Sequence, residues 1–235
     1  MKTYRLDTLK KFSKAGNLPR GEQEIREALH SPAVRAVTCF VLGPIGTNIA
    51  QASERWLKET GIEDKTSTRV CEDPMDYVVE AKAISSGNEV AIFWTCAVYF
   101  DLFRLFFLHP DTHPFFISYE MELDEMQLAI RPGLAAQADS VVLNNWRVAA
   151  HPSPSPLVDA LSVEKVRAKS NSHAAEMCAG GEVELCITTE AARQKHGLAK
   201  LHSFGSPVMV FFGGISSYGA EVVAQAHEEV RKGGN

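Results

Sequence analysis

Basic residues are not in excess in this sequence, which argues against nucleic acid as a partner. The 24 Lys and Arg residues are outnumbered by 29 Asp and Glu residues, so the formal net charge is -5. Proteins that bind DNA or RNA usually carry a basic surface that displaces counterions from the phosphates. We therefore expect no nucleic-acid partner.

Long apolar runs, paired cysteines and a secretory signal are also missing. The most apolar stretch, 90–117, is interrupted by charged residues and prolines, whereas a membrane span needs about 20 consecutive apolar residues. The five cysteines are odd in number and include no CxxC pair, which favours buried thiols in a reducing compartment. Residues 1–25 lack the basic and apolar regions of a signal peptide. We expect a cytoplasmic protein that does not contact a membrane.

One short segment, HPDTH, has two histidines around an aspartate and could suggest a metal site. No further ligand follows His109, Asp111 and His113 at a clear spacing, and a metal centre usually needs at least three protein ligands. We predict no metal and no cofactor.

Strand-like and helix-like segments alternate in the first half of the chain. Apolar, β-branched runs at 34–43, 66–73 and 89–96 are separated by helical patterns at 49–61 and 75–87. This β-α-β-α-β order predicts a parallel sheet with helical crossovers.

Three segments in the second half share one design, namely a strand-like run, a small polar cluster and a helix start. They are VAAHPSPSPLVDAL (148–161), AKSNSHAAEMCAGG (168–181) and ELCITTEAARQKHGL (184–198). We expect these segments to build a second lobe. The segment 198–215 then returns the chain to a last strand, and 216–234 forms an amphipathic helix.

The predicted fold class is α/β with two lobes and a cleft between them. An N-terminal helical arm (1–32) precedes a first lobe formed by 33–124 and 199–235, and the second lobe comprises 125–198. We expect the ligand in the cleft, because ligand sites gather outside the carboxyl ends of parallel strands and at domain interfaces.

Ser, Thr and Asn residues at four predicted helix starts are candidate ligands for a small polyanion. The first N–H groups of a helix lack partners and favour an anion, although these side chains could simply cap their own helices. The candidates are Thr47, Asn48, Ser153, Ser155, Asn171, Ser172, Thr188 and Thr189.

Four charged or titratable residues near these clusters are further candidates. His151 and His173 could act as acids, because imidazole titrates near neutral pH, or could only bind and orient a ligand. Arg131 could pair with a carboxylate or lie on the surface. Glu190 could contact a hydroxyl group, or pair with Arg193 along one helix.

An aromatic stretch between the halves approximates a helical stripe followed by a loop. Its residues could form core or dimer contacts, or a lid over a ligand, so a homodimer is possible. They are Phe100, Phe103, Phe106, Phe107, Phe115 and Phe116.

Several motifs occur in the order found in a known enzyme family. LGPIGTNIAQAS (42–53) resembles the opening motif of the prephenate dehydratase catalytic domain, and HPSP, NSHAA and ITTEAARQKHGL resemble its later motifs. The residues of these motifs are more similar still to those of the non-aromatising prephenate decarboxylases of bacilysin-type antibiotic pathways. The resemblance spans about 35–215. It implies a fold like that of type II periplasmic binding proteins, a cofactor-free lyase that acts on prephenate or a similar dicarboxylate, and catalytic roles for His151, His173 and Thr47.

One departure from the dehydratases favours decarboxylation. Those enzymes have a Thr-Arg-Phe motif whose Thr is thought to help expel the ring hydroxyl, whereas SPVMVFFGG (206–214) contains neither Thr nor Arg. The resemblance then implies loss of CO2 with retention of the hydroxyl, giving a dihydro-4-hydroxyphenylpyruvate for antibiotic or other specialised amino-acid biosynthesis. We also expect no appended regulatory domain.

Other functions stay open. The chain could be a dehydratase-type lyase that uses another acid, or a related lyase of a sulfur- or tropone-forming pathway. It could also be a non-catalytic protein that binds a small acid. The last alternative is favoured by FWTCAVYFDLFRLFF (93–107), where the relatives have a Val-Pro dipeptide and a polar segment.

Overall fold

The chain folds into two units, each built around its own sheet of five strands. The computed structural model describes residues 11, 12, 14, 16–43, 47–99, 101–138 and 146–233. One unit comprises 1–121 and 210–235, and the other comprises 122–209. The second unit is therefore a continuous segment inserted into the first.

The helices and strands follow one another as the β-α alternation of the sequence predicts. In chain order they are α1 (Glu22–His30), β1 (Ala36–Leu42), α2 (Asn48–Thr60), β2 (Thr66–Cys71), α3 (Pro74–Ala83), β3 (Glu89–Cys96), α4 (Phe103–Phe107), β4 (Thr112–Glu122), β5 (Met126–Ile130), α5 (Pro132–Ala138), β6 (Arg147–Ala150), β7 (Glu164–Arg167), α6 (Asn171–Ala179), β8 (Leu185–Thr189), α7 (Glu190–Lys195), β9 (Ala199–Gly205), β10 (Val208–Ser216) and α8 (Ser217–Gly233). Two single-turn 3-10 helices, Glu63–Lys65 and Ser155–Val158, complete the list.

The sheet of the first unit has the strand order β2-β1-β3-β10-β4. The strand β1 pairs in parallel with both β2 and β3, which confirms the predicted β-α-β-α-β arrangement. The returning strand β10 is antiparallel to β3, so the sheet is mixed. Both faces of β1 and β3 are buried, as their nearly continuous apolar sequences require.

The first crossover helix is bounded by two local signals. The Oγ1 atom of Thr47 accepts the N–H of Ala50, and Gly61 ends α2 in the left-handed conformation at φ 74°, which glycine adopts at little cost. The helix α1 of the predicted N-terminal arm packs against α8 of the same unit and buries Ile25, Ala28 and Leu29.

The sheet of the second unit has the order β7-β6-β8-β5-β9. The strand β6 is parallel to β7 and β8, and β5 is antiparallel to β8 and β9. The sequence analysis assigns 199–235 to the first lobe, but β9 is hydrogen-bonded to β5. Residues 199–209 therefore lie in the second unit, because the backbone groups of β9 pair with the open edge of β5.

The aromatic stretch contributes less to the core than its composition suggests. In α4, Leu105 is fully buried, whereas Phe103 and Phe107 are 58% and 70% exposed. Phe106 packs against Phe115 with ring centroids 5.0 Å apart. Phe116 is buried, and Phe100 lies outside the described residues. Among the helices of the described residues, none is both long and apolar enough to cross a bilayer.

A glycine in β10 lies directly against a buried aromatic ring of the neighbouring strand. Gly214 pairs with Phe93 of β3, and a Cβ atom at Gly214 would lie 2.1 Å from Cε2 of that ring. Phe93 is fully buried and cannot move away without disturbing its neighbours.

We expect Gly214→Ala to lower the free energy of unfolding by about 1–3 kcal/mol through overpacking. Urea denaturation followed by circular dichroism measures this loss. Gly133→Ala is the matched control, because no atom lies within 4 Å of its added Cβ and alanine favours the helix by up to about 1 kcal/mol. Equal stability of both variants would contradict the tight contact with Phe93.

Candidate functional site

The polar clusters of the second half meet at one edge of the second sheet. The strands β6, β7 and β8 run in parallel, so the segments that follow their carboxyl ends lie at the same edge. These segments are 151–155, 168–172 and 189–190. Their hydrogen bonds decide which of the predicted groups remain available to a ligand.

The segment after β6 closes on itself. The N–H of Ser153 donates to Nδ1 of His151 at 3.3 Å, and the N–H of Ser155 donates to the carbonyl of His151 at 3.2 Å. The Ser155 hydroxyl donates to the Pro152 carbonyl at 3.0 Å. The N–H groups of Ser153 and Ser155 therefore have acceptors inside the turn, and the predicted roles of both residues in substrate binding stay predictions.

The first N–H groups of α7 also have acceptors within the protein. Thr189 Oγ1 accepts the N–H of Ala192 at 3.4 Å, and the carboxylate of Asp124 accepts the N–H of Ala191 at 2.8 Å. The N–H of Glu190 donates to the Glu125 carbonyl at 2.9 Å. Thr189 therefore caps its own helix beside the carboxylate of Asp124, and its predicted role in substrate binding stays a prediction. Asp124 is far from this helix in sequence, and no local signal identifies it.

The Thr188 side chain joins β8 to the first residue of α6. It is fully buried, and its hydroxyl donates to the carbonyl of Asn171 at 2.9 Å. Its predicted role in substrate binding stays a prediction.

The start of α6 is different, because its first donors stay open. Ser170, which the sequence analysis overlooked, caps the helix by accepting the N–H of His173 at 3.0 Å. Within the described part of the chain, the N–H groups of Asn171 and Ser172 have no acceptor. The Ser172 side chain is exposed. Two backbone donors at the positive end of a helix dipole are thus available to an anion.

The side chain of Asn171 adds an unpaired hydrogen-bond acceptor at the start of α6. Its Nδ2 atom lies 3.9 Å from the sulfur of Met126. Its Oδ1 atom is buried and has no hydrogen-bond partner in the described structure. Because an unpaired buried carbonyl oxygen is costly, this atom is suited to a ligand that brings a donor.

In both candidate histidines, the Nδ1 atom of the ring accepts a backbone N–H. Nδ1 of His151 accepts from Ser153, and Nδ1 of His173 accepts the N–H of Lys169 at 3.2 Å. Each neutral ring therefore carries its proton on Nε2. Burial, with a smaller contribution from the charge of Arg167, lowers the pKa of His151 below 6.5. At neutral pH His151 is suited to donating a hydrogen bond and is a poor acid.

Arg131 lies away from this edge, and its predicted contact with a substrate carboxylate stays a prediction. It follows Ile130, which pairs with Leu185 at the opposite end of β8. Its Nη1 atom donates to the carbonyls of Cys178 and Val183 at 2.9 and 3.1 Å. The guanidinium group therefore ties the end of α6 to the segment before β8.

A surface depression of about 460 Å³ borders Arg131 at that opposite edge. It is lined by Pro132, Gly133, Leu134, Ala179, His196, Gly197 and Leu198 besides Arg131. Within the described ranges, no group of three or more His, Cys, Asp or Glu side chains is placed to hold a metal ion.

A series of polar side-chain contacts links Glu190 to the start of β5. Arg193 lies 4.0 Å from Glu190, but its Nε atom donates to Gln127 at 2.6 Å and its Nη1 atom to the Leu198 carbonyl at 2.8 Å. The amide of Gln127, which is fully buried, donates to Glu125 at 2.7 Å. The 4.0 Å contact between Glu190 and Arg193 is the longest in this series of contacts, so the ion pair along the helix is weak.

Thr47 and Asn48 lie in the first unit, after β1. The Thr47 hydroxyl donates to the Leu42 carbonyl at 2.9 Å while it caps α2, and Asn48 is half-buried. The cap is confirmed, and the predicted roles of both residues toward a substrate stay predictions.

Known proteins resemble the chain in sequence and in fold. No protein-family profile matches it. It is 27% identical over 176 residues to the prephenate decarboxylases of Bacillus subtilis strain 168 and Bacillus amyloliquefaciens, covering 73% of this chain and 83% of each relative. This similarity confirms the resemblance that the motifs indicate.

A solved structure supports the predicted fold class. PhnD1 from Prochlorococcus marinus, in complex with methylphosphonate, aligns with a TM-score of 0.51 and 9% identity over 83% of both chains. The α/β fold with two lobes, of the kind found in periplasmic binding proteins, is therefore confirmed.

We expect NMR titration of His151 to give a pKa below 6.5. Arg167→Gln should raise this pKa only partly, since burial is the larger cause. Because the unfolded chain takes up the proton first, the free energy of unfolding falls as the pH drops below 6.5. His151→Gln should reduce that fall in urea unfolding measured at pH 7.5 and 5.5. A normal pKa for His151 would show that the ring is open to solvent.

Proposed function

We propose that this chain is a prephenate decarboxylase that releases the ring carboxylate as CO2 and keeps the ring hydroxyl. The product would be a dihydro-4-hydroxyphenylpyruvate used in specialised amino-acid or antibiotic biosynthesis. The similarity to curated prephenate decarboxylases supports the substrate and the loss of CO2. The fold by itself supports no particular reaction, because one fold serves many functions.

The start of α6 supports binding of one substrate carboxylate. Prephenate carries two carboxylates and a hydroxyl, so a site must supply several donors. The open N–H groups of Asn171 and Ser172 can hold one carboxylate at the positive end of the helix dipole. The Nε2–H groups of His151 and His173 are further donors at the same edge of the sheet.

Retention of the hydroxyl is the step that the geometry of Asn171 supports best. A hydroxyl leaves only when its oxygen gains a proton or an equivalent donor. The Oδ1 atom of Asn171 can accept the hydroxyl hydrogen but cannot donate, so a hydrogen bond to it makes the hydroxyl a poorer leaving group. The similarity to the curated prephenate decarboxylases is the single observation that carries the proposed reaction, and the unpaired Asn171 oxygen is our candidate contact for the hydroxyl.

Two other features support the same outcome. The segment 206–214 has no Thr or Arg, and 208–214 lies within β10. The lowered pKa of His151 leaves little imidazolium at neutral pH to act as an acid toward the hydroxyl.

Loss of CO2 leaves an electron pair on the diene, which must then take up one proton on carbon. His173, in the first turn of α6 beside Asn171, is our candidate donor in its imidazolium form, in which Nδ1 is protonated instead of accepting from Lys169 and Nε2 gives up its proton to leave the neutral ring. The released carboxyl group's own proton is the alternative source. Transfer of the carboxylate from water to fixed N–H dipoles lowers the remaining barrier to the loss of CO2. No cofactor is needed for these steps.

We expect the purified chain to convert prephenate into a product that has lost CO2 and shows no aromatic absorbance. Mass spectrometry and ultraviolet spectra of the reaction decide the matter. Formation of phenylpyruvate would instead establish a dehydratase. Thermal stabilisation by prephenate without any turnover would establish the non-catalytic binding protein.

Asn171→Ala should lower kcat/KM for prephenate by about 10–100-fold, since a hydrogen bond to a substrate hydroxyl is worth about 1.4–2.7 kcal/mol in the transition state. Steady-state assays of CO2 release measure the loss. Glu176→Gln, an exposed change on the same helix, is the control and should leave kcat/KM unchanged. Wild-type activity of Asn171→Ala would show that Asn171 is not part of the site. Thr47→Val tests in the same assay whether Thr47, in the first unit, contributes to kcat/KM.

A further inference from the structure

The helix α6 lies along one face of β8 and is held to it at both ends. Side chains two residues apart in a strand point to the same face, so Cys186 and Thr188 share the face that α6 covers. Thr188 contacts Asn171 in the first turn of α6. Cys186 belongs to the same buried cluster as Cys178 in the last turn.

This antiparallel crossing brings the last turn of α6, which contains Cys178, to the start of β8, which contains Cys186. The seven residues from Asn171 to Cys178 advance the helix by roughly 10 Å, and β8 covers a similar length from Thr188 back to the residues before Cys186. The Cys178 thiol donates to the Glu184 carbonyl at 3.3 Å. Arg131 also binds the carbonyls of both Cys178 and Val183.

We propose that Cys178 and Cys186 form a redox-active dithiol that hydrogen peroxide closes into a disulfide bond. The pair is a modification site independent of the proposed decarboxylation. All five cysteines are free thiols in this structure. Cys178 and Cys186 are both fully buried, so a small oxidant is required.

The chemistry balances with one peroxide for each pair. The Cys178 thiolate attacks one oxygen of hydrogen peroxide, which gives a sulfenic acid and releases hydroxide that becomes water. The Cys186 sulfur then attacks the Cys178 sulfur, forms the S–S bond and releases the second water. The two thiols lose two protons and two electrons, and the peroxide is reduced to two waters.

The environment distinguishes Cys178 from the other thiols as the attacking group. A hydrogen bond with Cys186 lowers the pKa of Cys178, and the charge of Arg131 lowers it further against the opposing effect of burial. Burial raises the pKa of Cys39 to about 11 and also raises that of Cys96. Because thiolates are the reactive form, oxidation should begin at Cys178.

Peptide mapping of the oxidised full-length chain tests the proposal. After treatment with hydrogen peroxide, alkylation in denaturant should show two fewer free thiols than in the untreated chain. Cleavage after Glu182 and Glu184 separates the two cysteines, so a linked pair of peptides identifies the bond. Dithiothreitol should restore both thiols. The disulfide should also raise the melting temperature by ~5 °C, because it restrains the unfolded chain.

Single variants provide the controls. Cys178→Ala and Cys186→Ala should each abolish the linked peptides, whereas Cys96→Ala, in the other unit, should leave them unchanged. The mapping of the wild-type chain decides the question even if a variant does not fold. Sulfinic or sulfonic acid at Cys178 without a linked peptide, a bond between other cysteines, or five intact thiols would each overturn the proposal.

Discussion

Unsatisfied backbone N–H groups at the start of α6 are the constraint on which the candidate site depends. Every helix start presents such donors, but the second unit closes most of them internally. Asp124 and Thr189 occupy the start of α7, and the turn after β6 satisfies the N–H groups of Ser153 and Ser155. In the described part of the second unit, the N–H groups of Asn171 and Ser172 remain without acceptors, which makes them the candidate donors to a bound anion.

The polarity of the neighbouring side chains bears on the proposed reaction. In that proposal the Asn171 oxygen, which is buried and unpaired, can accept a hydrogen from the substrate hydroxyl but cannot protonate it. Burial lowers the pKa of His151, so its ring is mostly neutral at neutral pH. An enzyme that expels the hydroxyl needs the opposite arrangement, with an acid directed at that oxygen.

The contacts below α6 explain how its start is held in place. Thr188 binds the carbonyl of Asn171, and at the other end Arg131 and the Cys178 thiol bind the segment that leads into β8. Because α6 crosses over the central strand of the sheet, small apolar side chains such as Ala149 and Ala174 allow the close approach. The dithiol lies in this same contact, on the side away from the open donors.

The sequence by itself determined the α/β alternation, the parallel pairing of β1 with β2 and β3, and the caps at Thr47 and Thr189, because periodicity and capping are local properties. It also indicated the relationship to prephenate decarboxylases through the order of its motifs. The tertiary structure decided which helix starts remain open, since the acceptor that closes α7 is Asp124, 67 residues before Ala191. It likewise placed β9 in the second sheet and turned Arg131 toward backbone carbonyls. Pairing partners that are distant in sequence are set by strand order and packing, and neither can be read from a local pattern.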